Sequence, residues 1–177
     1  MKMEIRIEVL LMKKVDFNTV LNDYNEVLPE GVFLTTKNDG EVNTMTMGWG
    51  TTGFIWNRNI VMAPVRKSRH THHLIENSDY FTVSVPLNGQ FKEELQFCGT
   101  KSGRDYDKIK ELDLNLIEIE ETEVPIIKGN DLHIICKIKY QQDMFEKNLD
   151  KDILEEKYPD KDMHTFYYGE VVAVYKE

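Results

Sequence analysis

Cysteine is scarce in this 177-residue sequence, with Cys98 and Cys136 the only two. Two thiols cannot make a disulfide framework for a chain this long, and neither sits in a CxxC pair that would suggest zinc or dithiol exchange, so we read both as free thiols in a reducing compartment. Long apolar runs are missing too. None approaches the roughly 18–20 residues that span a bilayer, and the opening MKMEIRIEVLLMKK breaks its apolar residues with charges where a signal peptide would be continuous. The expectation is a cytoplasmic chain with no membrane segment. Basic charge is also in deficit: 22 Lys and Arg against 31 Asp and Glu give a net charge of −9. That balance offers no long stripe for a nucleic-acid backbone and argues against general nucleic-acid binding. No GxGxxG follows a strand, and neither GxxxxGK[ST] nor GxSxG occurs, so the signatures of Rossmann binding, P-loop hydrolysis and α/β-hydrolase chemistry are absent. With 41% apolar residues the chain has material for one core, and without repeats or Gly/Ser linkers it reads as a single domain over 1–177.

Periodicity supplies the elements. Phe17, Val20, Leu21, Tyr24, Val27 and Leu28 fall on one helical face after a capping Asp16, and Pro29 and Gly31 end the run. GVFLTTK and EVNTMTMGW flank Asn38-Asp39-Gly40, a hairpin signal. The second arm carries polar groups on both faces, with Asn43, Met45 and Met47 on one and Val42, Thr44 and Thr46 on the other. NIVMAPVR reads as a strand, a short helix follows over about 69–77, and YFTVSVP is again a strand. Ser102 and Asp105 have capping-box spacing before a second short helix through Tyr106, Ile109 and Leu112. NLIEIE, DLHIICKIKY and HTFYYGEVVAVYK are expected strands, with a polar helix near 149–158 stopped by Pro159 before the last. The acidic cluster Glu118 to Glu123 reads as a solvated strand edge. Six or seven strands with three or four short helices predict a mainly β fold, a barrel with helical excursions.

The stretch from Arg66 to His73 places three fixed cations, two hydroxyls and three histidines after a strand and at a helix start. It admits two readings: a phosphate seat using helix-start amides and charge-assisted hydrogen bonds, or a solvated basic turn. Metal binding by His70, His72 and His73 is disfavoured, because adjacent histidines on a helix point about 100° apart and no HExxH accompanies them. Cys98 precedes the basic, Gly-rich GTKSGR, which would lower a thiol pKa or admit a bound group, or is a turn between helices.

Taken in order, Leu28-Pro29-Glu30-Gly31, Asn43-x-Met45-Thr46-x-x-Trp49, Pro64-x-Arg66-x-Ser68-x-x-Thr71, Ser102-Gly103-Arg104-Asp105-x-Asp107-Lys108 and His164-x-x-x-x-Gly169-Glu170-Val171 resemble the flavin reductase-like, FMN-binding split-barrel family, over about 28–174. The resemblance implies a six-stranded Greek-key split β-barrel that forms a homodimer and binds FMN between subunits. It places Asn43, Thr44, Met45 and Thr46 along the isoalloxazine ring and ribityl chain, and Trp49 beside the flavin. It puts Arg66, Ser68 and Thr71 on the phosphate, Lys101 and Ser102 as further cofactor contacts, and His133, His164 and Phe166 at the pocket wall. Arg69-His70 stands between the usual hydroxyl and threonine positions with no evident role, and Arg69, on the first helical turn, is expected to face solvent.

The implied activity is that of an FMN-dependent oxidoreductase that requires no protein nucleophile: hydride passes from NADH or NADPH to flavin N5 and on to a second acceptor, with backbone N–H groups and Lys101 stabilising charge near N1. Two other readings stand beside it. One is a flavoredoxin-like FMN electron carrier reduced by a redox protein partner, and the other is a split-barrel binding protein without turnover. No compact nicotinamide motif is present to separate them.

Overall fold

The computed structural model describes residues 12–177, so the charge-broken opening of the chain lies, up to position 11, outside the described residues. A two-residue strand β1 (Lys13–Lys14) leads through a 3-10 turn (Phe17–Thr19) into helix α1 (Leu21–Val27), and a second 3-10 turn (Leu28–Glu30) closes it. Asp16 caps this entry by accepting from Asn18 N at 2.8 Å. Phe17, Val20, Tyr24 and Leu28 then bury against the main core, as their spacing predicts.

Strands β2 (Val32–Asn38) and β3 (Glu41–Met47) form the expected hairpin. Asp39 and Gly40 both take positive φ, 48° and 83°, which gives the turn whose twist matches the flanking strands. β4 (Thr51–Ile55) and β5 (Arg58–Arg66) make a second hairpin, followed by α2 (His70–Ile75) and β6 (Tyr80–Val85). Next come α3 (Lys92–Thr100), α4 (Lys108–Glu111), the hairpin β7 (Leu116–Ile119) and β8 (Thr122–Ile127), and the long β9 (Leu132–Asp143). A strap over 144–163 carrying α5 (Lys151–Lys157) returns the chain to β10 (His164–Lys176).

The main sheet runs β3-β2-β6-β9-β10-β5-β4 with antiparallel neighbours, and β1 adds to the far end of β10. It is a mainly β, split-barrel-like fold with open edges at β3 and β4. Its strand number corrects the expected six: among the described residues eight strands form this sheet, and β7–β8 form a separate pair. Leu34, Val61, Ala63, Val65, Val83, Ile134 and Tyr167 fill the centre, each fully excluded from water. A buried aliphatic of this size contributes roughly 1.5–3 kcal/mol. A satellite core of Phe33, Leu95, Cys98, Leu114 and Ile127 fastens α3 and the β7–β8 pair to the sheet. No described helix is long and apolar enough to cross a membrane.

The cap of α4 also differs from expectation. Asp107 caps it by accepting from Lys110 N at 3.2 Å, while Ser102 Oγ accepts from Arg104 N at 3.2 Å within the preceding turn. The helix therefore starts later than Ser102 and spans four residues.

Candidate functional site

Two cavities adjoin where β5 ends. The larger, about 520 Å³, lies between the 67–69 turn, the start of α2, the loop after α3 and the strap. The smaller, about 210 Å³, is walled by β3 from Met45 to Met47, by Gly48 and Trp49, and by Pro64 and His164. Arg66 and Arg69 line both, so the two spaces flank the same pair of arginines, and together they make up the cleft.

Of the residues expected to hold a cofactor, Arg66, Ser68, Thr71, Lys101 and Ser102 meet at the larger cavity, and Met45, Thr46, Trp49, Arg66 and His164 at the smaller. The others line neither. Asn43 is buried behind the larger cavity, where its Nδ2 donates to Thr71 Oγ1 at 2.8 Å. Thr44 points back into its own hairpin, donating to Leu34 O at 3.2 Å. His133 is fully buried at the opposite end of β9, with Nδ1 3.0 Å from Ser84 Oγ and Nε2 3.7 Å from Glu177. Phe166 stands on β10 between Pro64 and Gln142 of the neighbouring strands. Lys101 is exposed over the Tyr106 ring, on the side of the cleft away from Trp49.

The basic turn is more committed than its sequence suggests. Arg66 donates to Asp162 O at 2.8 Å and Lys157 O at 2.9 Å, and its guanidinium lies over Tyr158 and Trp49, 4.9 and 5.9 Å from the ring centroids. Ser68 binds the Asp162 carboxylate through both Oγ, at 2.6 Å, and its amide, at 3.1 Å. An internal carboxylate thus holds the position that an anion would take at this turn. The helix that follows has only six residues, so its end contributes little field of its own.

Arg69 departs from the expectation that it faces solvent. It is half-buried and donates to Gly99 O at 2.6 Å, and burial, then the neighbouring Arg66, lowers its pKa. His70 pairs with Glu41 at 2.6 Å, and His72 Nε2 meets Thr165 Oγ1 at 2.9 Å, so the histidines diverge into separate contacts. The hydroxyl of Thr165 in turn donates to Asp143 at 2.6 Å.

Sequence reasoning quoted Lys108 in a motif without giving it a role; it is buried on α4 and donates to Thr44 O and Cys98 O at 3.0 Å each. Cys98 is no activated thiol. Burial pushes its pKa up to about 11, and the Lys108 charge beside it only partly opposes this. At the smaller cavity, His164 Nδ1 shares a 2.8 Å hydrogen bond with Tyr158 OH, and its ring lies 5.6 Å from Trp49. Burial and then the Arg66 charge press its pKa down to about 4, so the imidazole is neutral near pH 7. At the larger cavity, Gly103 lets the loop after α3 close against β3 and α2. An added Cβ would overlap Asn43 Oδ1 and come within 2.7 Å of His70 Cδ2.

With this geometry in view, the profile of the family described as "Flavin reductase like domain" matches residues 26–177. The chain belongs to this family. Among curated relatives of this flavin reductase-like chain, an uncharacterised protein of Archaeoglobus fulgidus is 28% identical over 155 residues, which cover 88% of this chain and 77% of the relative. Among solved structures, flavoredoxin from Methanosarcina acetivorans superposes with a TM-score of 0.65 at 24% identity, covering 83% of this chain and 68% of that one. An NADH:FAD oxidoreductase from Streptomyces globisporus C-1027, solved in complex with NAD and FAD fragments, gives 0.61 at 21% identity, covering 83% and 74%. These structures share the fold.

Proposed function

We propose that this chain is an FMN-binding oxidoreductase, a flavin reductase that takes hydride from NADH or NADPH and passes electrons to a second acceptor. The observation that carries the reading is the pair of adjoining cavities: a cation-lined one beside a smaller one walled by Met45, Thr46, Trp49 and His164. A phosphorylated flavin has the same division, an anionic end and a flat, largely apolar ring system. When bound, the flavin supplies the hydride-accepting centre, so no protein nucleophile is required. Arg69, Thr71 and Lys108 would serve the phosphate end, and Met45, Thr46 and Trp49 the ring end. The neutral His164 adds a polar edge to that wall without adding charge. The flavoredoxin and the NADH:FAD oxidoreductase that share the fold support a flavin as the ligand.

A homodimer belongs to the same reading. Phe54, Ile55 and Trp56 on the β4–β5 hairpin and Tyr140 on β9 are exposed apolar or aromatic residues, a surface suited to a second copy.

The test is anaerobic mixing of FMN-loaded protein with NADH or NADPH while the flavin absorbance is followed. Bleaching by either nicotinamide is the expected result. Bleaching only by dithionite would replace the reductase with an electron carrier served by a protein partner. Failure to take up FMN would leave a split-barrel binding protein of another kind.

A further inference from the structure

We infer that a further cavity, between the 28–31 turn, the 86–92 loop and α3, is a second ligand site, and that it takes an uncharged conjugated carbonyl compound of the quinone class as electron acceptor. This rests on the reading of the cleft as a flavin site and names the class of the acceptor.

The cavity measures about 520 Å³, and its walls are Val27, Pro86 and Leu95 with Gly31, Gly89 and Gly99. Its rim is fixed in place. Gln90 Nε2 donates to Gly129 O at 3.2 Å, and in the same loop Asn88 Nδ2 donates to Asp131 Oδ1 at 2.6 Å. A largely apolar, preformed hollow of this size suits a small organic molecule. The hydroxyls that line it are already taken by α3, since Thr46 donates to Leu95 O and Thr100 to Gln96 O. What remains for a polar atom of the ligand is the exposed Gln96 amide.

Charge decides which ligand belongs where. The larger cavity has Arg66, Arg69, Lys101, Lys108 and Lys157 against Glu156, Asp160 and Asp162, and so favours anions such as a flavin phosphate or a nicotinamide dinucleotide. In the further cavity Glu30 and Lys92 balance one another. An anion would gain nothing from that balance and would lose hydration against Val27, Pro86 and Leu95. The occupant is therefore uncharged.

Position gives that occupant its role. Thr46 lines this cavity and the smaller one alike, so the two share a wall at that side chain. Two glycines keep the wall thin. A Cβ on Gly31, which holds φ at 112°, would come within 2.8 Å of Thr46 Cγ2, and one on Gly99 within 3.4 Å of Thr46 Cβ. An uncharged organic molecule can accept two electrons from a flavin through a conjugated carbonyl system. A quinone bound here would gain the two electrons and two protons that the reduced flavin loses on returning to its oxidised form, and would leave as the hydroquinone.

The experiment adds duroquinone, which is uncharged and has no open ring position for a thiol to attack, to FMN-loaded protein and follows the methyl NMR signals. Val27 and Leu95 should shift saturably, while Met45 and Met47 in the wall of the smaller cavity should not. Gln96→Trp, at an exposed helical position that lines this cavity and neither part of the cleft, should weaken duroquinone binding about tenfold or more and change FMN affinity by less than about threefold. The first measurement uses wild-type protein, so it decides the matter even if the variant does not fold. Saturable shifts at Met45 and Met47 alone would overturn the site by moving the acceptor into the cleft. Absence of any saturable shift, or unchanged duroquinone affinity in folded Gln96→Trp, would overturn it with FMN binding left standing. Failure of the protein to take up FMN would overturn the acceptor role together with the flavin reading.

Discussion

His164 shows how one buried side chain ties the cleft to pH. Its pKa is lowered from 6.5 to about 4 in the folded chain, so between these values the unfolded state binds a proton that the folded state refuses. Stability contributed by this residue is therefore full above pH 6.5 and falls as pH drops toward 4. Lowering the pH from 7 to 5 should cost the wild type about 2 kcal/mol more than His164→Gln, as read from urea unfolding at the two values. The sequence named His164 through its motif alone, and the fold sets it in the wall of the smaller cavity. The same resemblance named His133, which the fold sets at the other end of β9 beside Ser84 and Glu177, because a family motif says nothing of which end of a strand borders a cleft. Arg69 and Lys108 were hidden for another reason. Their anchors, Gly99 O and the carbonyls of Thr44 and Cys98, are brought near only by tertiary packing, and lysine is rarely a core residue.

Among the elements, the strap over 144–163 depends on the end of β5. Arg66 holds two of its carbonyls and stacks beneath Tyr158, and Ser68 holds Asp162. Arg66→Ala should destabilise the protein by about 1–3 kcal/mol through the lost charge-assisted bonds. Hydrogen–deuterium exchange should quicken within 144–163 while β6 and β9 keep their protection. Quickened exchange throughout the sheet would instead show that Arg66 supports the whole barrel. Element legibility followed local chemistry. The β2–β3 turn was readable because Asp-Gly supplies both positive φ angles, whereas β4 was not, since TTGFI has an interior Gly and exposed residues on both faces. β8 was concealed by Pro125 inside the strand and by the acidic residues before it, features that suit an edge rather than a sheet interior. The α4 cap was misread because Ser102 and Asp105 have the right spacing in a loop that turns before the helix begins.

At the scale of the molecule, the exposed hairpin and the net charge of −9 act in opposite directions on self-association. Trp56 is 51% exposed and meets the Tyr140 and Tyr168 rings edge-on, which gives the hairpin a firm aromatic base. Apolar contact should prevail, so light scattering of the FMN-loaded protein should report about twice the 20.8 kDa chain mass. Trp56→Ser should shift the mass toward that of one chain, while an unchanged double mass would move the contact to another face.

The chain has only two tryptophans, and the fold assigns them to different places, Trp49 in the wall of the smaller cavity and Trp56 on the outward hairpin. Each is consequently an intrinsic optical probe of a separate event. In Trp56→Phe the remaining indole emission reports occupancy of the cleft, and in Trp49→Phe it reports what happens on the outer face, so loading and assembly can be timed independently without attaching a dye.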